Sequence, residues 1–144
     1  MKSTKLSIVF IIMFLIFARC EKENTSLNII NFSNSECKNK SANIIEAESI
    51  TFMSLNEYQL KVYHRNAYFN CCPGELFAEC EFIGDTINII EFEKENSCNC
   101  ICPYDLEYTI DHLIAKTYNI KLNDKFLLKI NFNKEIDTTI ILNN

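Results

Sequence analysis

A chain of 144 residues has room for one folded domain, and with 48% hydrophobic residues it is too apolar to be disordered throughout. Removing a leader that ends before Cys20 takes away Lys2, Lys5 and Arg19, so Lys+Arg falls from 14 to 11 against 19 Asp+Glu and the net charge is near -8. This acidity argues against binding to nucleic acid, which needs a basic face, and against docking on an anionic membrane by charge.

The first residues of the chain have the pattern of a signal peptide. Lys2 and Lys5 form a positive start, and the run from 6 to 18 is apolar apart from Ser7. The run is shorter than the ~20 apolar residues that a transmembrane helix needs. Residues 1–19 are therefore predicted to be a signal peptide, with an uncleaved signal anchor as the alternative.

The end of this leader resembles a lipobox, the site at which bacterial lipoproteins are cleaved and acylated on a cysteine. The residues are Phe17-Ala18-Arg19-Cys20; Ala18 fits the pattern, whereas Arg19 departs from it because a small residue is expected there. Glu21 and Glu23 resemble the acidic stretch that sends some lipoproteins of gut bacteria to the outer face of the cell. The resemblance implies lipidation of Cys20 and attachment to a membrane through that anchor. It also implies a place in the cell envelope as an outer-membrane lipoprotein, periplasmic or surface-exposed.

Residues 20–43 are rich in Asn, Ser, Lys and Glu and are predicted to be a flexible tether after the lipidated cysteine. A short apolar island at 27–32 is a candidate first strand within it. The folded domain is predicted to cover residues 44–144.

Short runs of Ile, Phe, Tyr, Leu and Thr, separated by polar breaks, predict an all-β domain. Several alternate with period two; Leu106, Tyr108 and Ile110, for example, share one face. The runs lie at 57–64, 75–83, 86–93, 104–111, 117–122, 126–132 and 138–142. This number of strands favours an antiparallel β-sandwich, with an immunoglobulin-like arrangement as one form of it, and a small β-barrel is the alternative. Gly84-Asp85 suits a type II′ hairpin turn that pairs Ile83 with Thr86.

Five cysteines form two tight groups, Cys71 with Cys72 and Cys98 with Cys100 and Cys102. Outside the cytosol, such cysteines normally form disulfides. Both groups lie at the open end of the predicted hairpin, although the ladder is expected to break before it reaches them. We therefore expect Cys71 or Cys72 to lie within disulfide reach of the second group. Acylation of Cys20 leaves seven cysteines and hence one thiol without a partner.

Metal binding is the alternative use of these cysteines. Thiolates with a histidine suit zinc or copper, and His64 is a possible extra ligand. Alternate residues of an extended strand are ~6.6 Å apart, so Cys98, Cys100 and Cys102 could share one ion only from a loop. His64 is otherwise a polar strand residue or a base for a cysteine nucleophile.

No catalytic motif stands out. The Cys-x-x-Cys motif of thiol oxidoreductases is absent, and Cys80 has the apolar neighbours of a buried small hydrophobic residue. Asp105 and Glu107 fit the polar face of a strand better than a pair of glycosidase carboxylates, and His112 is expected to be solvated at a strand end. We therefore expect a protein that is not an enzyme.

Three motifs together resemble a group of small uncharacterised cysteine-rich lipoproteins of gut bacteria. They are His64-Arg65-Asn66 followed by Asn70-Cys71-Cys72-Pro73, then 84–87, then the run 98–106 that begins Cys98-Asn99-Cys100-Ile101-Cys102-Pro103. The similarity covers about residues 44–142 and implies a fold and a location. It carries over no functional residues.

The sequence thus leaves two functions open. The first is a cell-envelope lipoprotein whose non-enzymatic β-sandwich, stabilised by disulfides and holding no cofactor, serves as a binding or structural module. The second is an envelope protein that binds zinc or copper through its thiolates. Neither function comes with an identified ligand or protein partner.

Overall fold

The computed structural model describes residues 26–38, 47–95 and 98–143, and the described strands form two sheets. The strands are β1 (Asn28–Asn34), β2 (Ser49–Ser54), β3 (Leu60–Asn70), β4 (Leu76–Ile83), β5 (Thr86–Glu93), β6 (Ile101–Asp111), β7 (Lys116–Leu122), β8 (Phe126–Phe132) and β9 (Asp137–Ile141). The predicted signal peptide, Cys20 and the tether residues 20–25 and 39–43 lie outside the described residues.

The two sheets pack against each other as a β-sandwich, which confirms the predicted fold class. One sheet has the order β1-β6-β3-β2-β9 and the other β4-β5-β7-β8, and the described strands do not close into a barrel. Every neighbouring pair is antiparallel except β5 and β7, which are parallel. These two run in the same direction because the chain crosses to β6 in the other sheet between them. None of the described residues lies in a helix of the length and hydropathy needed to cross a membrane.

The core lies between the sheets and is built from the alternating apolar residues. Leu106, Tyr108 and Ile110 of β6 are at most 1% exposed and face inward, as their period-two pattern predicts. Ile87 and Ile89 of β5 contribute to the core from the other sheet and have no exposed surface. Burial of these side chains supplies the main driving force for the sandwich, at roughly 1.5–3 kcal/mol each.

The candidate strand inside the predicted tether is an edge strand of the five-stranded sheet. β1 pairs with β6 from Asn28 opposite Asp111 to Asn34 opposite Leu106, and Leu27 just before it is only 8% exposed. The folded domain therefore includes described residues on the N-terminal side of position 44. Ile29 and Phe32 pack against the core, which explains why this short apolar island joins the sheet.

The β4–β5 hairpin has the predicted register. Ile83 lies opposite Thr86, Cys80 opposite Ile89, and Leu76 opposite Glu93. Gly84 has a φ of 66°, the sign that the first central residue of a type II′ turn requires.

The sandwich has two distinct ends. We call one the loop end, because it carries the connections 55–59, 84–85, 112–115 and 133–136. The pairings of Leu60 with Ile110, Lys116 with Phe132 and Thr86 with Asn119 bring these connections to the same side. The other is the disulfide end, where β3 stops at Asn70 and β6 starts. β1 starts at the loop end.

Candidate functional site

The two cysteine groups meet at the disulfide end, as the hairpin register predicts. Cys71 is bonded to Cys100 and Cys72 to Cys98, with a Cα–Cα distance of 5.6 Å in both pairs. Both disulfides lie beyond the last paired residues of the hairpin, Leu76 and Glu93. Between them and the hairpin, the Gly74 amide donates to the Glu95 carbonyl at 2.8 Å.

A third disulfide joins Cys37 to Cys102, with a Cα–Cα distance of 5.8 Å across a sequence separation of 65. It ties the segment after β1 to β6, next to the backbone bond from the Lys38 amide to the Pro103 carbonyl. Spacing in the sequence does not reveal this pair, because Cys37 stands alone. Cys98 and Cys100 therefore bond the adjacent Cys72 and Cys71, whereas Cys102 bonds the distant Cys37.

Cys80 is the free cysteine of the described residues. It lies in β4 and packs against the core, as its apolar neighbours predict, but it is half-buried rather than fully buried. Burial raises the pKa of its thiol to about 11, so at neutral pH it is protonated and a poor nucleophile.

The cysteines of the two groups are disulfide-bonded, so their sulfurs are not thiolates that could bind zinc or copper. Among the residues that the structure describes, no group of three or more His, Cys, Asp or Glu side chains is arranged to hold a metal ion. His64, the possible extra ligand, contacts glutamates rather than cysteines.

His64 lies at the centre of a buried polar network that spans the two sheets. Its side chain is 1% exposed; Nδ1 lies 2.7 Å from Glu91 Oε2 and Nε2 lies 3.0 Å from Glu48 Oε1. The Tyr108 hydroxyl donates to Glu91 Oε1 at 2.8 Å, and the Asn123 side-chain amide donates to Glu91 Oε2 at 3.1 Å. His64 and Tyr108 belong to the five-stranded sheet and Glu91 to the four-stranded sheet, so the network fixes how the sheets face each other.

The electrostatics of the network favour a charged imidazolium. Burial lowers the pKa of His64, but the hydrogen bonds to Glu48 and Glu91 outweigh it and raise that pKa to about 9. The pKa of Tyr108 is raised well above its ordinary value by burial and by Glu91, so the phenol stays neutral and donates its proton. Because both ring nitrogens of His64 are occupied, this histidine holds the structure together and is not placed to act as a base on a substrate.

The network could be found only partly from the sequence. His64 shares its strand face with Leu60 and Val62, and Glu91 shares its face with Ile87 and Ile89, so the period-two pattern places both polar side chains inward. That pattern was the available signal for a buried ion pair. It does not show that the two residues meet, because they lie 27 positions apart on different sheets.

A β-bulge in β3 shapes the surface beside this network. The register shifts between His64 and Ala67, and Asn66 has a φ of 57°. Its side-chain oxygen accepts from Lys38 Nζ at 3.0 Å, and its backbone N–H donates to Asp105 Oδ1 at 3.1 Å. The bulge thus fastens the segment after β1 to the sheet, close to the Cys37–Cys102 disulfide.

The outer face of the five-stranded sheet carries an open groove of about 340 Å³. It is lined by Ser33, Asn34, Ser35, Tyr63, Arg65, Asp105, Leu106 and Glu107. Asp105 and Glu107, confirmed as polar-face residues of β6, form ion pairs with Lys38 and Lys61, respectively. Hydroxyl, amide and guanidinium groups give this groove the chemistry of a surface for polar ligands.

His112 is exposed at the end of β6, as expected, with 55% of its side chain accessible.

Comparison with known proteins adds no assignment: no protein-family model, curated protein or solved structure matches this chain.

Proposed function

We propose that this protein is a cell-envelope lipoprotein, anchored through Cys20, whose disulfide-stabilised β-sandwich acts as a non-enzymatic binding or structural module. The observation that carries the proposal is the set of three disulfides. Bonds of this kind persist in oxidising compartments outside the cytosol, which is where a lipobox-like cysteine would send the domain.

The roles of the singled-out residues support a structural rather than a catalytic interpretation. Six cysteines form disulfides, and the raised pKa of the Cys80 thiol makes it a poor nucleophile. His64 is enclosed between two glutamates, at 3.0 Å from Glu48 and 2.7 Å from Glu91. The polar groove beside Tyr63 and Arg65 is the surface on which a binding role would rest.

Membrane fractionation of the Cys20→Ser variant tests the anchor. We expect the native protein in the membrane fraction and Cys20→Ser in the soluble fraction, because each buried CH₂ of an acyl chain contributes ~0.8 kcal/mol of membrane affinity. Cys80→Ser is the matched control and should stay with the membranes. Intact mass spectrometry should find acyl chains on the native protein and on this control but not on Cys20→Ser. If Cys20→Ser stays membrane-bound through washing, a signal anchor replaces the lipoprotein proposal.

A further inference from the structure

Five exposed hydrophobic side chains lie at the loop end of the sandwich. They are Leu55, Tyr58, Phe82, Ile83 and Ile114, with exposed fractions of 48%, 58%, 39%, 60% and 58%. They come from two connections and from the end of β4, which are distant in the sequence, and we call them together the apolar patch. Apolar groups gathered in this way mark a contact surface rather than scattered exposure.

Contacts connect three members of the patch, Tyr58, Ile114 and Phe82. The Leu113 amide donates to the Tyr58 carbonyl at 2.9 Å, and Tyr58 and Ile114 line one shallow, mostly apolar cavity. The Tyr118 hydroxyl bonds to the backbone of Ile114 at 3.0 and 3.1 Å, and the Phe82 ring meets the Tyr118 ring edge-on at 6.0 Å between centroids.

The point at which the domain joins its anchor decides what this surface faces. β1 begins at the loop end, where Asn28 pairs with Asp111. Only seven peptide units separate Cys20 from Leu27, so the chain between them can span at most ~25 Å. If Cys20 is acylated, as the proposed function holds, the loop end is the part of the domain held next to the lipid.

We propose that the apolar patch docks on the lipid surface to which Cys20 is anchored, so that the domain stands on the membrane with its loop end down and its disulfide end outward. The inference rests on the proposed function. Tethering raises the effective concentration of the surface, so a patch too small to bind by itself is held in contact. A tyrosine such as Tyr58 suits this position because its ring is apolar and its hydroxyl reaches water.

The charges at this end specify the kind of lipid. The ammonium group of Lys116 lies over the rings of Phe82 and Tyr118, with Nζ at 4.7 and 4.8 Å from their centroids, so a positive charge stands beside the patch. Carboxylates outnumber lysines around the patch: Glu57, Asp85, Asp111, Glu135 and Asp137 stand against Lys116 and Lys134. Zwitterionic lipid therefore fits this surface better than anionic lipid.

The disulfide end supplies a matched comparison. Tyr68 and Ile101 are also exposed, at 43% and 67%, and they lie at the opposite end of β3 and β6. The length of an 11-residue strand puts them about 30 Å from the patch. They should therefore stay in water when Tyr58 and Ile114 touch lipid.

Single tryptophans report which end touches the bilayer, because the native chain contains none. We would make Tyr58→Trp and Ile114→Trp with Tyr68→Trp and Ile101→Trp as matched controls, each in the full-length chain processed in the cell. Each purified protein would be placed in phosphatidylcholine vesicles with and without brominated acyl chains. We expect the emission of the tryptophans introduced at positions 58 and 114 to shift to shorter wavelength and to be quenched by bromine. The emission of those introduced at positions 68 and 101 should change in neither respect.

The outcomes separate this inference from the proposed function. If the proteins carry acyl chains and float with the vesicles but all four tryptophans escape quenching, the docking proposal is wrong and the anchor stands. Equal quenching at both ends would also refute it. If the emission at positions 58 and 114 shifts to shorter wavelength only as the protein concentration rises, and bromine does not quench it, a second copy of the chain covers the patch instead. Absence of acyl chains and of flotation would remove the proposed function and this inference together.

Discussion

At the scale of single residues, His64 shows how a polar side chain is accommodated in the core. A buried charge is tolerated when it is paired and hydrogen-bonded, and both nitrogens of this ring meet carboxylates. Glu91 in turn accepts from Tyr108 and Asn123, so its own charge is compensated on several sides. The network is therefore a structural unit whose protonation state is coupled to folding.

That coupling predicts a loss of stability in alkaline solution. The pKa of His64 rises from 6.5 to about 9 on folding, so the stabilisation is fully present below pH 6.5 and is lost as the pH rises through 9. The shift corresponds to about 3 kcal/mol. Urea midpoints measured from pH 6 to 10 should fall over this range for the native protein. His64→Gln should be less stable at pH 6.5 and should depend less on pH up to 9; equal pH dependence in the two proteins would contradict the assignment.

At the scale of elements, the β4–β5 hairpin follows local rules. Its turn needs a positive φ at the first central position, and glycine meets that need without steric cost. Its two strands carry the alternation that predicts their register. β2, in contrast, does not stand out in the sequence, although Ile50 and Phe52 have no exposed surface. Its six residues alternate too briefly to stand out, and the strand is defined by its neighbours β3 and β9.

Replacement of Gly84 tests the turn directly. A Cβ at this position would meet no atom within 4 Å, so the cost of Gly84→Ala comes from the backbone alone. We expect a loss of about 1–2 kcal/mol in the free energy of unfolding, because L-residues disfavour positive φ. Gly84→Asn is the matched variant and should lose less, since asparagine tolerates this region better. Equal losses for both variants in urea unfolding would argue against the turn as the cause.

At the scale of the whole molecule, the disulfides divide into two kinds. Cys71–Cys100 and Cys72–Cys98 close nearly the same loop, with sequence separations of 29 and 26. Cys37–Cys102 closes a different loop of separation 65 and joins the segment after β1 to the rest of the sheet. The stabilisation by a disulfide grows with the chain length that it alone constrains.

Because two of the disulfides close nearly the same loop and the third closes a different one, we expect their removal to reduce stability by unequal amounts. Cys37→Ala with Cys102→Ala should cost about 4 kcal/mol, because no other disulfide among the described residues closes that loop. Cys72→Ser with Cys98→Ser should cost much less, because Cys71–Cys100 still closes almost the same loop. Thermal melts of both double variants test the order. A reducing agent should lower the melting temperature of the native protein and a chelator should not; destabilisation by the chelator would favour the metal-binding alternative instead.

Most of the strands, the hairpin turn and the meeting of the two cysteine groups could be predicted from local patterns in the sequence. Period-two alternation reports which face of a strand is buried, and Gly84-Asp85 sets the register locally, so these features need no knowledge of distant partners. The order of strands, the pairing of Cys37 with Cys102 and the junction of Glu48, His64 and Glu91 emerge only in the folded chain. Each depends on which strands lie next to or across from one another. That choice is made by packing of the whole core, and a local pattern does not encode it.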